Sequence, residues 1–250
     1  AENVNFGNYF RECVDCPDMA EIAPGSFLLG SPDEEDARIE AEGPLTRVTL
    51  SRPFAMSVRE VTVADWRKCV ADGGCRSLPA GNANDKAPVI NVNWEDARSY
   101  VVWLSRKTGS NYRLPTEAEW EFAARAGSQS AFSFGDAISP EKANYKASEP
   151  YHGPAGVDRG RPTAAGSFAP NAFGLFDMHG NVWEMTADCW SADHTNASAD
   201  GAARGGHCTT RVVKGGAWST PGWRLRAAHR SFVGQDDHRP DTGFRIVRDL

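Results

Sequence analysis

Along most of the chain, apolar residues come in short bursts broken by glycine, proline and polar residues. Only three stretches carry a helical period. Val63–Ala71 places Trp66 and Val70 on one face of a short amphipathic helix. Asn93 opens a longer helix, in which Trp94, Ala97, Val101 and Leu104 follow i, i+3, i+7, i+10 spacing. Asn93, Glu95 and Asp96 suit its N-terminus, where the helix dipole favours negative charge, and Gly109 suits its C-cap. The third helix follows Pro115: Thr116-x-x-Glu119 has the form of a capping box ahead of Trp120, Ala123 and Ala124.

The other elements are short. Residues 18–30 predict two strand pieces around the Pro24-Gly25 turn, and Arg47–Phe54 with Ser57–Val61 predict a strand pair. Residues 31–44 are acidic and polar and predict a surface loop. Pro79–Pro88 predicts another. From Gly127 to Ala169 almost no period exists, and beyond it short strand candidates sit among Gly-rich loops. The whole predicts an α+β domain spanning 1–250, with 1–17 as an N-terminal extension carrying Cys13 and Cys16. Irregular stretches this long need pinning, by disulfides or bound cations.

Composition narrows the class. The 250 residues include 24 glycines, 15 prolines and 8 tryptophans, which favours turns and irregular connections over a helical bundle. A net charge of −6 argues against a nucleic-acid-binding protein, which usually carries a basic patch. Apolar runs such as Tyr100–Leu104 fall far short of the roughly 20 residues that span a bilayer. Nothing in the sequence signals oligomerisation, and a monomer is expected. The start Ala1-Glu2-Asn3 has the look of a mature end after signal cleavage, although a chain cut there for any other reason would look the same.

Six cysteines fall into three local groups: Cys13 with Cys16, Cys69 with Cys75, and Cys189 with Cys208. Six allow 15 pairings. Nearest-neighbour pairing is the simplest, because each group closes a short loop. The rival for Cys13-x-x-Cys16 is a redox motif or half a metal site, but Pro17 follows and no second Cys-x-x-Cys completes four thiolates. A disulfide framework implies an oxidising compartment: periplasm, secreted space or ER lumen.

Several segments together resemble the formylglycine-generating-enzyme (sulfatase-modifying factor) family over nearly the whole chain. They are Arg113-Leu114-Pro115-Thr116-Glu117-Ala118-Glu119-Trp120-Glu121, Pro170-Asn171-Ala172-Phe173-Gly174-Leu175-Phe176-Asp177-Met178, Gly180-Asn181-Val182-Trp183-Glu184, Gly215-Gly216-Ala217-Trp218 and Gly243-Phe244-Arg245. Pro24-Gly25-Ser26-Phe27 and Glu60-Val61-Thr62 also fit. The resemblance implies a single domain related to the C-type lectin fold, with little regular structure and structural calcium.

For calcium, Asn181 and Glu184 offer oxygens three residues apart, with carbonyls such as that of Val182 between them, as a hard cation requires. Their plainer reading is that Asn181 turns the chain and Glu184 caps or pairs with an arginine. A second family cation site maps onto Asn144, the Tyr145 carbonyl, Asp158 and the Gly160 carbonyl. Glu117, Glu119 and Glu121 read as capping groups and as ion-pair partners of Arg113 and Arg125 rather than acid–base equipment.

In the family, the stretch from Trp218 to Arg230 lines the substrate cleft. Arg226, His229 and Trp218 are the catalytic candidates, and Trp223, Arg224 and Arg230 the substrate-binding ones. Arginines there suit an anionic or carbonyl-rich ligand, and His229 a proton carrier. The competing reading is that these arginines pair with the chain's acids. Copper-dependent oxidases of the family place two cysteines a few residues after a Gly-Gly-Ser motif. Here Thr220 and about Gly222 stand in those places and Ala217 replaces the serine, so the thiolates that suit Cu(I) are absent.

Formylglycine generation is therefore not expected. The histidines form no ligand triad, and no redox-cofactor motif is recognisable. A periplasmic, disulfide-bearing branch of the family is associated with oxidative maturation of the pyoverdine siderophore chromophore, dihydropyoverdine to pyoverdine. That makes a small peptide siderophore the expected substrate, and the protein an oxidoreductase. A non-catalytic lectin-like module binding a ligand or peptide remains the alternative.

Overall fold

The computed structural model describes residues 9–250. The mature start at Ala1 lies outside the described residues. In chain order the strands and helices are β1 (Tyr9–Phe10), β2 (Met19–Ile22), β3 (Gly25–Leu29), β4 (Thr46–Leu50), β5 (Phe54–Ser57), α1 (Val63–Ala71), α2 (Trp94–Thr108), β6 (Tyr112–Arg113), α3 (Glu117–Arg125), β7 (Trp183–Cys189), β8 (Thr210–Lys214), β9 (Arg230–Gly234), β10 (Thr242–Gly243) and β11 (Val247–Asp249). They form a five-stranded sheet β1-β2-β5-β11-β6, a four-stranded sheet β10-β7-β8-β9 and a β3-β4 hairpin.

The helices start where their caps dictate. Thr62, Asn93 and Thr116 each accept from the backbone N–H three residues on, and Asp65, Asp96 and Glu119 return a bond to the cap. Gly109 ends α2 in the left-handed region, at φ 77°. The strand expectation for 47–61 needs correction. β4 pairs with β3, while β5 pairs with β2 and β11. Ser51-Arg52-Pro53 breaks the run, because proline has no N–H for the ladder. Val58 and Val61 instead donate to the Asp18 and Phe244 carbonyls, and their own carbonyls accept from Phe176 and Val89 N–H.

The core has three parts. Trp66, Tyr100 and Phe244 pack ring on ring between α1, α2 and the sheets. Trp120, Phe54 and Met178 centre the second part. Phe132, Tyr145, Tyr151 and Leu225 form the third, inside the irregular region.

No helix or strand occurs between Arg125 and Trp183, and no disulfide falls there either. Side-chain amides supply much of the pinning. Asn171 accepts from the N–H groups of Phe173 and Leu175 and donates to the Ala123 carbonyl. His179 accepts from Ser133 N–H at Nε2 and bonds the Leu225 carbonyl through Nδ1.

Ion pairs sit inside this core. Every residue of α3 is buried, its three glutamates included. Glu117 holds Arg230 at 2.7 and 2.8 Å, Glu121 holds Arg125 and Lys214, and Glu119 holds Arg113. A helix with no solvent face can carry carboxylates only if cations meet them. The motif arginine Arg245 reaches Glu184 in the same manner.

The 31–44 segment is largely the exposed loop expected, but Ser31, Glu42 and Gly43 are buried where it folds over the C-terminal half, and Glu42 has no exposure. Residues 9–17, read from sequence as an extension, join the five-stranded sheet through β1, and Glu12 bonds Arg248.

Candidate functional site

The Trp218 loop is built from the backbone outward. Gly215 and Gly216 have φ of 92° and 73°, and a Cβ on Gly216 would lie 2.5 Å from Leu225 Cδ1. Glycine is required there on both counts. Trp218 N–H donates to the Asn181 carbonyl at 2.9 Å, and its ring, partly exposed, lies on the Pro240 side. Ser219 Oγ donates to Asp241 at 2.7 Å. Thr220, at a family cysteine place, turns inward: its Oγ accepts from Ala217 N–H at 2.9 Å.

Trp223 and Arg224 follow on a short 3-10 turn, the guanidinium 5.0 Å from the Trp223 ring centre. Arg224 Nε is buried with no partner among the described residues.

The catalytic assignments to Arg226 and His229, and the substrate role of Arg230, require correction. Arg226 is fully buried. It bonds Glu42 at 2.6 and 2.8 Å, Glu35 at 2.5 Å and the carbonyls of Ala37 and Trp223. Arg230 is locked between Glu117, the Ser191 carbonyl and the Trp190 ring. His229 lies against Glu42 at 3.2 Å, and burial pushes its pKa down to about 4. A pKa held that low by burial leaves it poorly suited to carry protons near neutral pH. Burial would raise Glu42, but His229, Arg226 and Ser31 outweigh it and hold the carboxyl well below the usual range. Trp218, Trp223 and Arg224 remain accessible.

The two cation sets behave differently. Glu184 Oε1 and Oε2 both receive Arg245, and Oε2 also accepts Trp120 Nε1–H at 2.6 Å. Asn181 Oδ1 already takes Thr163 N–H, Thr163 Oγ–H and Asn144 Nδ2–H. Buried Val182 lies between them. As arranged these side chains fit a calcium ion poorly, because the Glu184 oxygens are committed to Arg245 and Trp120 and Asn181 Oδ1 to three donors. Glu184 is an ion-pair partner, the plainer of its two readings.

In the second set, Asn144 Oδ1 is buried without a partner among the described residues, an acceptor left open as a cation ligand would be. Asp158 is exposed and accepts Ser148 N–H and Oγ–H, each at 2.8 Å. Among the described residues no group of three or more His, Cys, Asp or Glu side chains converges as a metal site.

Two residues of the loop's surroundings escaped sequence reasoning. Asp241 stands 22 residues beyond Ser219, and only the fold brings them together. Glu42 lay in a segment that looked solvated. The cysteines join as Cys13–Cys16, Cys69–Cys75 and Cys189–Cys208, with none free. No thiol is therefore available to the Gly215–Gly222 loop.

Comparison with known proteins defines the class. The sulfatase-modifying factor enzyme 1-like domain matches residues 5–250. The formylglycine-generating enzyme of Thermomonospora curvata is 36% identical, over 92% of this chain and 93% of that protein. The chain belongs to the formylglycine-generating-enzyme family. An inactive C-alpha-formylglycine-generating enzyme 2 of Bos taurus is 28% identical over 92% of this chain and 87% of its own, so such similarity does not by itself carry activity. Among solved structures, PvdO from Pseudomonas aeruginosa superposes with a TM-score of 0.87 at 34% identity, covering 100% of both chains. Treponema denticola variable protein 1 shares the fold at a TM-score of 0.76 and 21% identity, over 97% of this chain and 99% of that one.

Proposed function

We propose that this protein is a periplasmic oxidoreductase that completes the pyoverdine chromophore of a peptide siderophore, and that it does not generate formylglycine. The observation that carries this reading is the end-to-end likeness to PvdO. The absence of any thiol at the Trp218 loop supports its second half, since Cu(I) needs soft ligands. Dihydropyoverdine would lose two electrons and two protons, and dioxygen would take both as hydrogen peroxide. Trp218 offers a face for the aromatic ring of the substrate. Asp241 is the carboxylate bonded to this loop, and it is the group we assign to accept the proton.

Aerobic incubation of purified protein with dihydropyoverdine, followed by absorbance, tests this. Turnover is expected, and Asp241→Asn should lower it at least tenfold with an unchanged melting temperature. Absence of turnover in the wild type would refute the oxidase. Tight binding without conversion would establish the second reading, a ligand-binding module. That reading is favoured by the burial of Arg226, His229 and Arg230, which removes three reactive groups from the cleft.

Structural calcium belongs to the same proposal, at Asn144, the carbonyls of Tyr145 and Gly160, and Asp158. The open Asn144 Oδ1 supports it. Calcium should raise the melting temperature of chelator-stripped protein, and Asp158→Asn should abolish the gain while Glu184→Gln keeps it. A gain that survives Asp158→Asn and vanishes in Glu184→Gln would return calcium to Glu184.

A further inference from the structure

A cavity of about 550 Å³ lies between residues 81–90 and residues 161–167, with Val63 at its base. Its walls are fixed. Asn82 clamps its own loop, donating to the carbonyls of Pro79 and Ile90 and accepting Ile90 N–H. Ala165 N–H donates to the Lys86 carbonyl at 2.8 Å and ties one wall to the other. The Arg161 carbonyl accepts from buried Asn144, which holds the backbone beneath the guanidinium.

The charge of this cavity is out of keeping with the chain. The protein carries 33 acids against 27 bases, yet among the described residues no carboxylate lines the cavity and Arg161 is its one charged residue. Arg161 is exposed, and its guanidinium has no hydrogen bond or ion pair among the described residues. Its neighbour Arg159, by contrast, is spent on the carbonyls of Ala143 and Pro140. The cavity is also lined by Asn84, whose Oδ1 accepts Lys86 N–H, and by Ser167, whose Oγ donates to the Ala164 carbonyl. That leaves Asn84 Nδ2–H and a Ser167 lone pair to meet amide groups beside the apolar surfaces of Ala87, Pro88 and Ile90.

We infer that this cavity is a binding site for a carboxylate attached to a short peptide or other amide-linked chain. A planar guanidinium pairs with one carboxylate in two parallel bonds. A single cation suits a monoanion, and the amide-capable rim suits a peptide backbone next to it. The site adjoins the Trp218 loop, since its lining residue Thr163 donates to Asn181, whose carbonyl accepts Trp218 N–H. Binding is read without turnover, so the oxidase reading and this one fail separately.

The test uses isotope-labelled full-length protein at 0.15 M salt, followed by amide chemical shifts. The probes are acetyl-Ala-Ala-Ala as the free acid, the same peptide as its C-terminal amide, and acetyl-Asp-amide. The free acid should shift resonances of residues 81–84 and 161–167. The neutral amide should bind about 10- to 100-fold more weakly, the worth of one charge-assisted pair. Arg161→Gln should weaken the acid by the same factor with no change in melting temperature, and Arg52→Gln, at an exposed arginine elsewhere, should not. Binding of acetyl-Asp-amide in place of the tripeptide acid would assign a side-chain carboxylate instead of a chain terminus. Equal affinity for acid and amide, or an unaffected Arg161→Gln variant, overturns the inference.

Discussion

Arg226→Met removes the cation from one of the most heavily bonded buried sites in the structure. The side chain has no exposure, and its guanidinium makes five contacts of 2.5–2.9 Å, three of them to Glu35 and Glu42. Methionine keeps much of the volume, so the perturbation is mainly electrostatic. Glu42, also without exposure, then keeps only Ser31 Oγ at 2.6 Å and His229 at 3.2 Å. Breaking one partner out of a buried ion pair costs about 3–5 kcal/mol. For a chain of this size that is a fall of about 6–20 °C in melting temperature.

The pH dependence carries the sign. In the wild type Glu42 is held below its unfolded pKa, so its contribution is present at neutral pH and is lost only in strong acid. In the variant the buried, unpaired carboxyl should have a raised pKa, so the deficit should shrink as pH falls toward 5. Calorimetry from pH 5 to 8, with Arg226→Met/Glu42→Gln as the partner-free control, reads both effects. A fall under 2 °C together with lost turnover would refute the reasoning and return Arg226 to the cleft.

Asp188 gives a second pH test. It accepts the N–H groups of Glu117 and Arg204, yet burial, with Glu117 adding to it, raises its pKa to about 7. A carboxyl raised on folding makes stability fall as pH climbs from about 4 to 7, by up to about 1.4 kcal/mol per unit. Asp188→Asn should flatten that slope in denaturant titrations, and parallel slopes would mean Asp188 does not titrate there. For the disulfides, replacing Cys189 and Cys208 by serine opens a bridge 19 residues wide and should cost about 3 kcal/mol. The six-residue Cys69–Cys75 bridge should cost about 2 kcal/mol, and the reverse order would point to native-state packing instead of chain entropy.

Local chemistry made much of this protein legible from its residues. Thr116-x-x-Glu119, Asn93 and Gly109 set helix ends because a cap is satisfied within a few residues, whatever the rest of the chain does. The cysteine pairs were legible because short loops limit partners, and the missing thiols at Thr220 and Gly222 could be read directly off the chain. The family followed from motif order alone.

Tertiary structure decided which charges are solvent-facing and which are interior. Arg226 and Arg230 look the same in sequence as arginines of a cleft, but their partners Glu42 and Glu117 lie 184 and 113 residues away. Glu184 looked like a ligand until Arg245 closed on it from 61 residues further along. The pairing of β4 with β3 instead of β5, the Ser219–Asp241 contact and the cavity at Arg161 are likewise long-range facts. A charge declares its type in the sequence, whereas its partner and its distance from water depend on chain segments that meet only on folding.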